Sequence, residues 1–354
     1  MKQSVRFAAI NPYKEEFIER PVEKVDNRSA FVRWGTNNAY PEYLSMLNKE
    51  VSTLASIING SVDYVVGDDV TLNIPDIPEK NSKGETFKDI VEQMARNYFR
   101  YGGWALHVIR SNEGKVVEVE VVDLRYLRSD KENEVFFYSE EWGNRAKYSR
   151  YPKFVPDFTD IASSIHYCKN NETQVYPEPL YLGSIKACEI ERAIDDYHLN
   201  SINNGFMGSY IVNFNNGRPE DTEMDEIVKN INEKFAGVAN AGRIAVAFND
   251  SQDTAVTINE LKTQDFGEHY NTAAKNARQR IFTSFRANPN LFGIPTESLG
   301  FSSEEYESAF KLYNRTQILP VQKKIVDALD YVFSTTGSIT ITPFSLDYAV
   351  KKVE

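Results

Sequence analysis

The chain has 354 residues, 41% hydrophobic and 26% charged, a balance ordinary for a soluble globular protein, for which disorder is not the default, and its length leaves room for two or three structural units. Its formal net charge of −11 argues against a protein that grips nucleic acid through many phosphate contacts, though not against an acidic surface past which DNA slides. Cys168 and Cys188 are too few for a disulfide framework or a zinc site. No apolar run is long enough for a signal peptide or a membrane span, so a cytosolic protein, or one in a particle assembled there, is expected.

Residues 1–40 begin irregularly, with Pro12 and Pro21 interrupting any regular element. The turn-rich stretch from Trp34 to Pro41 reads as structural packing. Two short helices are predicted after it, Glu42 to Leu47 and Ser52 to Val66, the second carrying Leu54, Ile57, Ile58, Val62 and Val65 on one stripe and stopping at Gly67. Val70, Leu72 and Ile74 alternate as a strand. Phe87, Ile90, Val91, Met94 and Tyr98 mark a helix closed by Gly102 and Gly103. Trp104, Leu106 and Val108, then Val117, Val119 and Val121, alternate on either side of a turn at Asn112 to Gly114 and predict a β-hairpin. Residues 123–178, rich in aromatics and charge, read as small strands and loops, with Val135 to Tyr138 as one strand.

A helical pattern returns from Leu182 to Phe206. Strand-like Tyr210 to Phe214, a helix from Glu220 to Phe235, and strand-like runs at Ile244 to Phe248 and Val256 to Leu261 follow, a compact β-α-β-β unit. The segment from Thr263 to Arg286 carries Phe266, Tyr270, Ala273, Ala274, Ala277, Ile281 and Phe285 at helical spacing. Two prolines and two glycines between Asn288 and Gly300 then forbid a continuous helix and call for a shaped loop. Ser302 and Glu305 have capping-box spacing, with Phe301 and Tyr306 as a hydrophobic staple, and open a last long helix to Phe333. Pro320 lies inside it and predicts a kink, and Gly337 is expected to close it. Ile339, Ile341 and Phe344 form one last strand-like run.

The wording of the break resembles a family. The sequence Phe292-Gly293-Ile294-Pro295, then Leu299-Gly300, then a long helix with Pro320 after Ile318-Leu319, is similar to the C-terminal signature of tailed-bacteriophage portal proteins, of HK97-like or PBSX-like type. Tyr176 to Tyr181, with Asn203-Asn204-Gly205 downstream, looks like the borders of the first stem helix in that family, although Pro177 stands where the family pattern has glycine. Gly114 to Val116 resembles the opening of the second hairpin strand of the portal wing.

The resemblance implies an α+β portal fold: a mixed wing over 1–178, a first stem helix over 179–207, a β-α-β-β clip over 208–261 and a second stem helix over 262–287. A tunnel-loop region over 288–303 and a kinked wing helix with a short strand and minimal crown over 304–354 complete it. The tunnel loop and its supporting turn would use Asn288, Pro289, Phe292, Gly293, Pro295, Leu299, Gly300 and Ser303. The stem and oligomer interface would use Glu189, Glu191, Asp195, Asp196, Lys275, Arg278 and Arg280.

Around those residues the first stem segment carries a formal −2 and the second +2, which suits antiparallel neighbours. Implied partners are other copies in a ring of about twelve, double-stranded DNA in the tunnel without sequence specificity, the terminase large subunit, the major capsid protein and a head–tail adaptor. Neither a membrane nor a cofactor is implied. The implied location is the portal vertex of the virion, assembled in the bacterial cytoplasm.

No Walker phosphate loop, GxSxG elbow or HExxH motif is present, and His107, His166, His198 and His269 are scattered. An enzyme reading would rest on Glu191, Asp195 and Asp196 as a dispersed metal-assisted hydrolase site; Asp68 and Asp69 form another acidic pair. A monomeric phage adaptor or scaffolding protein is the remaining alternative.

Overall fold

The computed structural model describes residues 19–25, 30–143, 147–157, 160–203, 210–214, 220, 222–227, 244–248, 266–293 and 303–345. The chain divides into two units, one formed by Ile18–Glu189 with Asn276–Glu354 and a smaller one by Met1–Phe17 with Ile190–Lys275.

The larger unit opens with a short antiparallel pair, β1 (Glu23–Val25) and β2 (Val32–Trp34), inside the stretch expected to be irregular. Helices α1 (Tyr40–Glu50) and α2 (Ser52–Val66) follow, and Leu54, Ile57, Ile58, Val62 and Val65 of α2 are all fully buried, as their spacing predicts. Helix α3 (Phe87–Tyr101) starts at a capping box in which Thr86 and Asp89 satisfy each other's backbone N–H groups. It ends at Gly102, whose φ of 89° is left-handed and whose missing Cβ would lie 1.9 Å from the carbonyl oxygen of Glu178. Conformation and space both require glycine there.

The predicted hairpin is present as β4 (Gly103–Arg110) and β5 (Val116–Val122). Strand β9 (Ser163–Lys169), concealed in the loop-rich stretch, pairs with the other edge of β4, giving the antiparallel order β5-β4-β9. A second antiparallel sheet runs β6 (Leu127–Ser129), β7 (Val135–Tyr138), β8 (Ser149–Pro152). Strand β3 (Asp69–Leu72) pairs with β12 (Ile339–Thr342), so the end of the unit returns to its beginning.

In the smaller unit, β10 (Tyr210–Phe214) and β11 (Ile244–Phe248) pair in parallel. A parallel pair needs a crossover, and residues 222–227 between the strands are helical. The expected strand at Val256 to Leu261 lies outside the described residues.

Helix α4 covers Ile185–Asn203 and α5 covers Phe266–Ser284. The last helical stretch consists of α6 (Ser303–Tyr313), a π-helical segment (Asn314–Ile318) and α7 (Leu319–Phe333). Helix α7 ends at Phe333 as expected, but its left-handed cap is Ser334, at φ 51°, three residues before the glycine expected to close it. Gly337 instead belongs to the turn before β12, where the Asp330 carboxylate accepts hydrogen bonds from the N–H groups of Gly337 and Ser338.

Candidate functional site: an anchored turn, a wide helical turn and a charged helix pair

Helix α5 gives way to a turn built by local chemistry. Arg286 adopts φ 52°, and the Ala287 N–H bonds back to the carbonyl of Phe282. The Asn288 side chain accepts from the N–H of Asn290, Pro289 supplies a preset φ at the first turn, and Pro289–Phe292 form a 3₁₀ turn that closes at Gly293, φ 73°. No atom lies within 4 Å of a Cβ placed on Gly293, so glycine is needed there for its conformation and not for space.

The turn is held against one face of α2. Tyr64 donates its hydroxyl to the Leu291 carbonyl at 2.8 Å, and the Leu291 side chain is buried. The Phe292 ring covers Gly60 so closely that a Cβ on Gly60 would sit 2.8 Å from its Cδ1. Edge contacts from Tyr64 at 6.1 Å and Tyr313 at 5.6 Å, with a tilted contact from Phe282 at 6.1 Å, enclose the same ring. Ser61 ties the cluster together, bonding the Ile57 carbonyl at 2.6 Å and the Tyr313 hydroxyl at 2.7 Å. Burial pushes the Tyr313 phenol up to about 12, so it stays protonated across the physiological range.

Gly60, Ser61 and Tyr64 were not legible as part of this site. The only signal was a glycine inside an otherwise apolar helical pattern, where it costs about 1 kcal/mol relative to alanine. Pro295, Leu299 and Gly300 lie outside the described residues, and Ser303 is the first residue of α6.

Around Pro320 the α-helical ladder is interrupted. The buried positions run Phe310, Tyr313, Ile318, Val321 and Ile325; the step from Tyr313 to Ile318 is one residue wider than an α-helix allows. The π-helical turn absorbs that extra residue and keeps the buried stripe continuous. Pro320 stands in the first turn of α7, where its missing N–H requires no partner in a new α segment.

The charged helix pair is placed by aromatic and backbone contacts. In the larger unit, Tyr181 stacks on Phe285 at 5.6 Å, and Ser184 donates to the carbonyl of Arg280 at 2.9 Å. In the smaller unit Tyr197 stacks on Tyr270 at 4.6 Å.

The expected interface charges divide into two groups. Glu189 is half-buried and accepts a 2.5 Å hydrogen bond from Tyr43, and Glu191 is buried. Asp195, Asp196, Lys275, Arg278 and Arg280 are exposed. Among the described residues, no group of three His, Cys, Asp or Glu side chains converges as metal ligands would. No described helix is long and apolar enough to cross a membrane.

A search of curated protein sequences returned no match. Solved structures share the fold. A chain of the native gene transfer agent (GTA) particle virion matches with a TM-score of 0.55 at 16% identity, over 87% of this chain and 84% of that one. A chain of the native GTA neck, computed with C12 symmetry, gives 0.52 at 16% identity, over 86% and 84%. An HK97 family phage portal protein from Corynebacterium diphtheriae gives 0.50 at 9% identity, over 85% and 95%. At such identities the likeness is one of fold. The sequence profile of the family described as "Phage portal protein" aligns with residues 77–347, spanning the hairpin, both charged helices, the anchored turn and the interrupted helix. The chain therefore belongs to the phage portal protein family, a structural rather than enzymatic one.

Proposed function

We propose that the chain is the subunit of a ring, twelve-fold in the assembled particle, that sits at one capsid vertex of a tailed phage or prophage and passes double-stranded DNA during packaging and ejection. The family match over 77–347 carries this reading, and the C12 symmetry used for the neck of the GTA particle supports the subunit number. Energy for DNA movement would come from a terminase large subunit docked on the ring. The major capsid protein and a head–tail adaptor would be its other neighbours, with assembly in the host cytoplasm and residence in the virion.

The physical chemistry agrees with a conduit. A chain of net charge −11 repels phosphates on average, so DNA can slide past without the many counterion-releasing contacts that would hold it. Within this reading, Asn288 to Ser303 is the tunnel loop, and the Phe292 anchor fixes its root to α2. Exposed Asp195 and Asp196 on α4 and exposed Lys275, Arg278 and Arg280 on α5 would set register between neighbouring stems. Each exposed pair contributes only ~0–1 kcal/mol, so buried contacts would supply most of the adhesion.

Native mass measurement and negative-stain imaging of the purified chain test the proposal. Ring-shaped particles of ten or more copies, on the order expected for closed cyclic assembly, are the expected result. A strict monomer at every concentration and salt level would refute it.

A further inference from the structure

Three side chains that the sequence scatters meet on one face of the sheet β5-β4-β9. Alternation along β4 turns Trp104, Leu106 and Val108 toward α3, where Trp104 packs 5.7 Å from Tyr98, and turns His107 to the opposite face. The register sets Glu120 of β5 directly across from His107, and Ser163 of β9 one step along, opposite Ile109. The His107 Nδ1 lies 3.1 Å from the Glu120 Oε2, and its Nε2 lies 2.5 Å from the Ser163 Oγ. A carboxylate only accepts, so Nδ1 carries the ring proton and Nε2 is left to accept from the serine hydroxyl.

The carboxylate is itself held in place. Lys83 Nζ stands 3.4 Å from the Glu120 Oε2, and the Ser82 hydroxyl 3.5 Å from its Oε1. The Tyr151 ring meets the imidazole edge to face at 5.1 Å, and the His107 and Glu120 side chains are only 19% and 13% exposed. Their hydrogen bond therefore forms in a partly dry setting, where it is stronger than in water. Ser163 is half-buried and Ala162 beside it is exposed, so the hydroxyl is reached from solvent.

The backbone of Ser163 offers a further donor. The Arg110 N–H bonds to the Ala162 carbonyl, so the neighbouring Ile109–Ser163 pair is of the kind that exchanges no hydrogen bonds, and the Ser163 N–H turns away from β4. On that outer side β9 is bridged between Lys153 and Ile165, with Phe154 donating to the Ile165 carbonyl, and the bridge does not extend to Ser163. Among the described residues, the Ser163 N–H has no acceptor. A hydroxyl, a base within reach of it, an acid that orients the base and a free N–H at the nucleophile are the components of acyl transfer.

We propose that Ser163 is an acyl-accepting nucleophile, with His107 as its general base, Glu120 as the positioning residue for the imidazole, and small activated esters as substrates. The open sheet face suits a short acyl group that brings its own good leaving group. Ser163 Oγ would attack the carbonyl carbon, pass its proton to His107 Nε2, and leave the negative oxygen at the Ser163 N–H. Collapse breaks the ester C–O bond, the leaving aryloxide takes the proton from His107, and acyl-Ser163 remains. Water, deprotonated by the same imidazole, then releases the carboxylic acid and the free serine. The ring reading neither needs this chemistry nor excludes it.

The full chain is treated with an alkyl fluorophosphonate, which forms a phosphonyl–Ser163 bond and releases fluoride, and the added mass is mapped by mass spectrometry. Ser163 is expected to label roughly a hundredfold faster than Ser308, an exposed serine of α6. Ser163→Ala should abolish that fast labelling and Ser308→Ala should leave it. His107→Gln should slow it roughly a hundredfold and Glu120→Gln roughly tenfold or more, with circular dichroism unchanged. With p-nitrophenyl acetate the wild type should release nitrophenolate and carry an acetyl group on Ser163. Labelling of Ser163 at the rate of Ser308, or an unchanged rate in folded His107→Gln or Glu120→Gln, would overturn the proposal and leave the three side chains as sheet packing. Should His107→Gln lose its circular dichroism signal, Ser163→Ala and Glu120→Gln decide the matter in the same way.

Discussion

Two irregular segments of the larger unit are fixed by opposite means. The loop after Trp34 is held by a buried cation: the Arg128 guanidinium is almost wholly inaccessible, donates to the side-chain and backbone oxygens of Asn38 and to the carbonyls of Arg125 and Leu127, and lies 4.8 Å from the Trp142 ring centroid. Burial depresses its pKa to about 10, which still leaves it charged at neutral pH. Trp34 stacks on Tyr176 at 4.4 Å to finish that cluster. The turn from Asn288 to Gly293 is held instead by ring packing and a single long-range hydrogen bond from Tyr64. A hydrogen-bonded buried cation specifies one geometry and tolerates no loss of a partner, whereas an aromatic enclosure tolerates small changes in proportion to volume.

The comparison can be broken first at Arg128. Arg128→Met roughly keeps the volume but removes the donor to the Asn38, Arg125 and Leu127 carbonyls and leaves the Asn38 side-chain oxygen only the Trp34 N–H, so a loss of roughly 3–5 kcal/mol in urea-unfolding free energy is expected. Arg128→Lys should recover only a minor part of it, because an ammonium group lacks the planar fork. A loss below about 1 kcal/mol for Met would show that water replaces the guanidinium and that the two anchors do not differ in kind.

At the aromatic anchor, Gly60→Val should cost about 1–3 kcal/mol by overpacking against Phe292. Gly60→Ala sharpens the point. It should destabilise the wild type yet stabilise a Phe292→Ala background by about 1 kcal/mol, since only helix propensity then remains. Additivity in that double-mutant cycle would remove Gly60 from the anchor.

Gly293→Val meets no neighbouring atom but must hold a left-handed backbone, so a cost of about 1–2 kcal/mol is expected, visible as a lower Tm. In the portal reading it should also impair packaging.

A pH effect is expected away from both anchors. His166, its ring 6.3 Å from Phe154 and 5.5 Å from Tyr331, has its pKa lowered to about 4 by burial. The unfolded chain, titrating near 6.5, binds more protons than the folded one between these values. Stability should therefore fall as pH drops from about 6.5 toward 4, and His166→Phe should flatten that slope in denaturation curves. Smallest for the fold, Arg278→Glu with Arg280→Glu should change stability by no more than about 0.5 kcal/mol, because both side chains are exposed. It should lower ring yield, and an unchanged yield would remove these arginines from any interface.

The elements legible beforehand share a physical basis. Helix α2 was readable from five apolar positions at helical spacing, α3 from its periodicity and Gly102, and the β4–β5 hairpin from alternation around one turn. Each depends on residues within a few positions of one another. The π-helical turn left a trace, the five-residue step from Tyr313 to Ile318, which the expectation of a kink at Pro320 did not use. Of the candidate site, Asn288, Pro289 and Gly293 were legible from turn chemistry; the α2 face that receives the turn was not.

By itself, the sequence determined where most helices and the hairpin strands form and, through the wording from Phe292 to Pro320, which family to expect. Periodicity, caps and turn residues act over a single turn or strand, so they can be read along the chain. Only the tertiary structure decided that β3 pairs with β12, that β9 completes the sheet on β4, that Arg128 goes inside, that Glu191 is buried while Asp195 is exposed, and that Gly60 makes room for Phe292. Those outcomes depend on partners dozens to hundreds of residues away, and they are selected by which surfaces can be buried together without leaving a polar group unsatisfied.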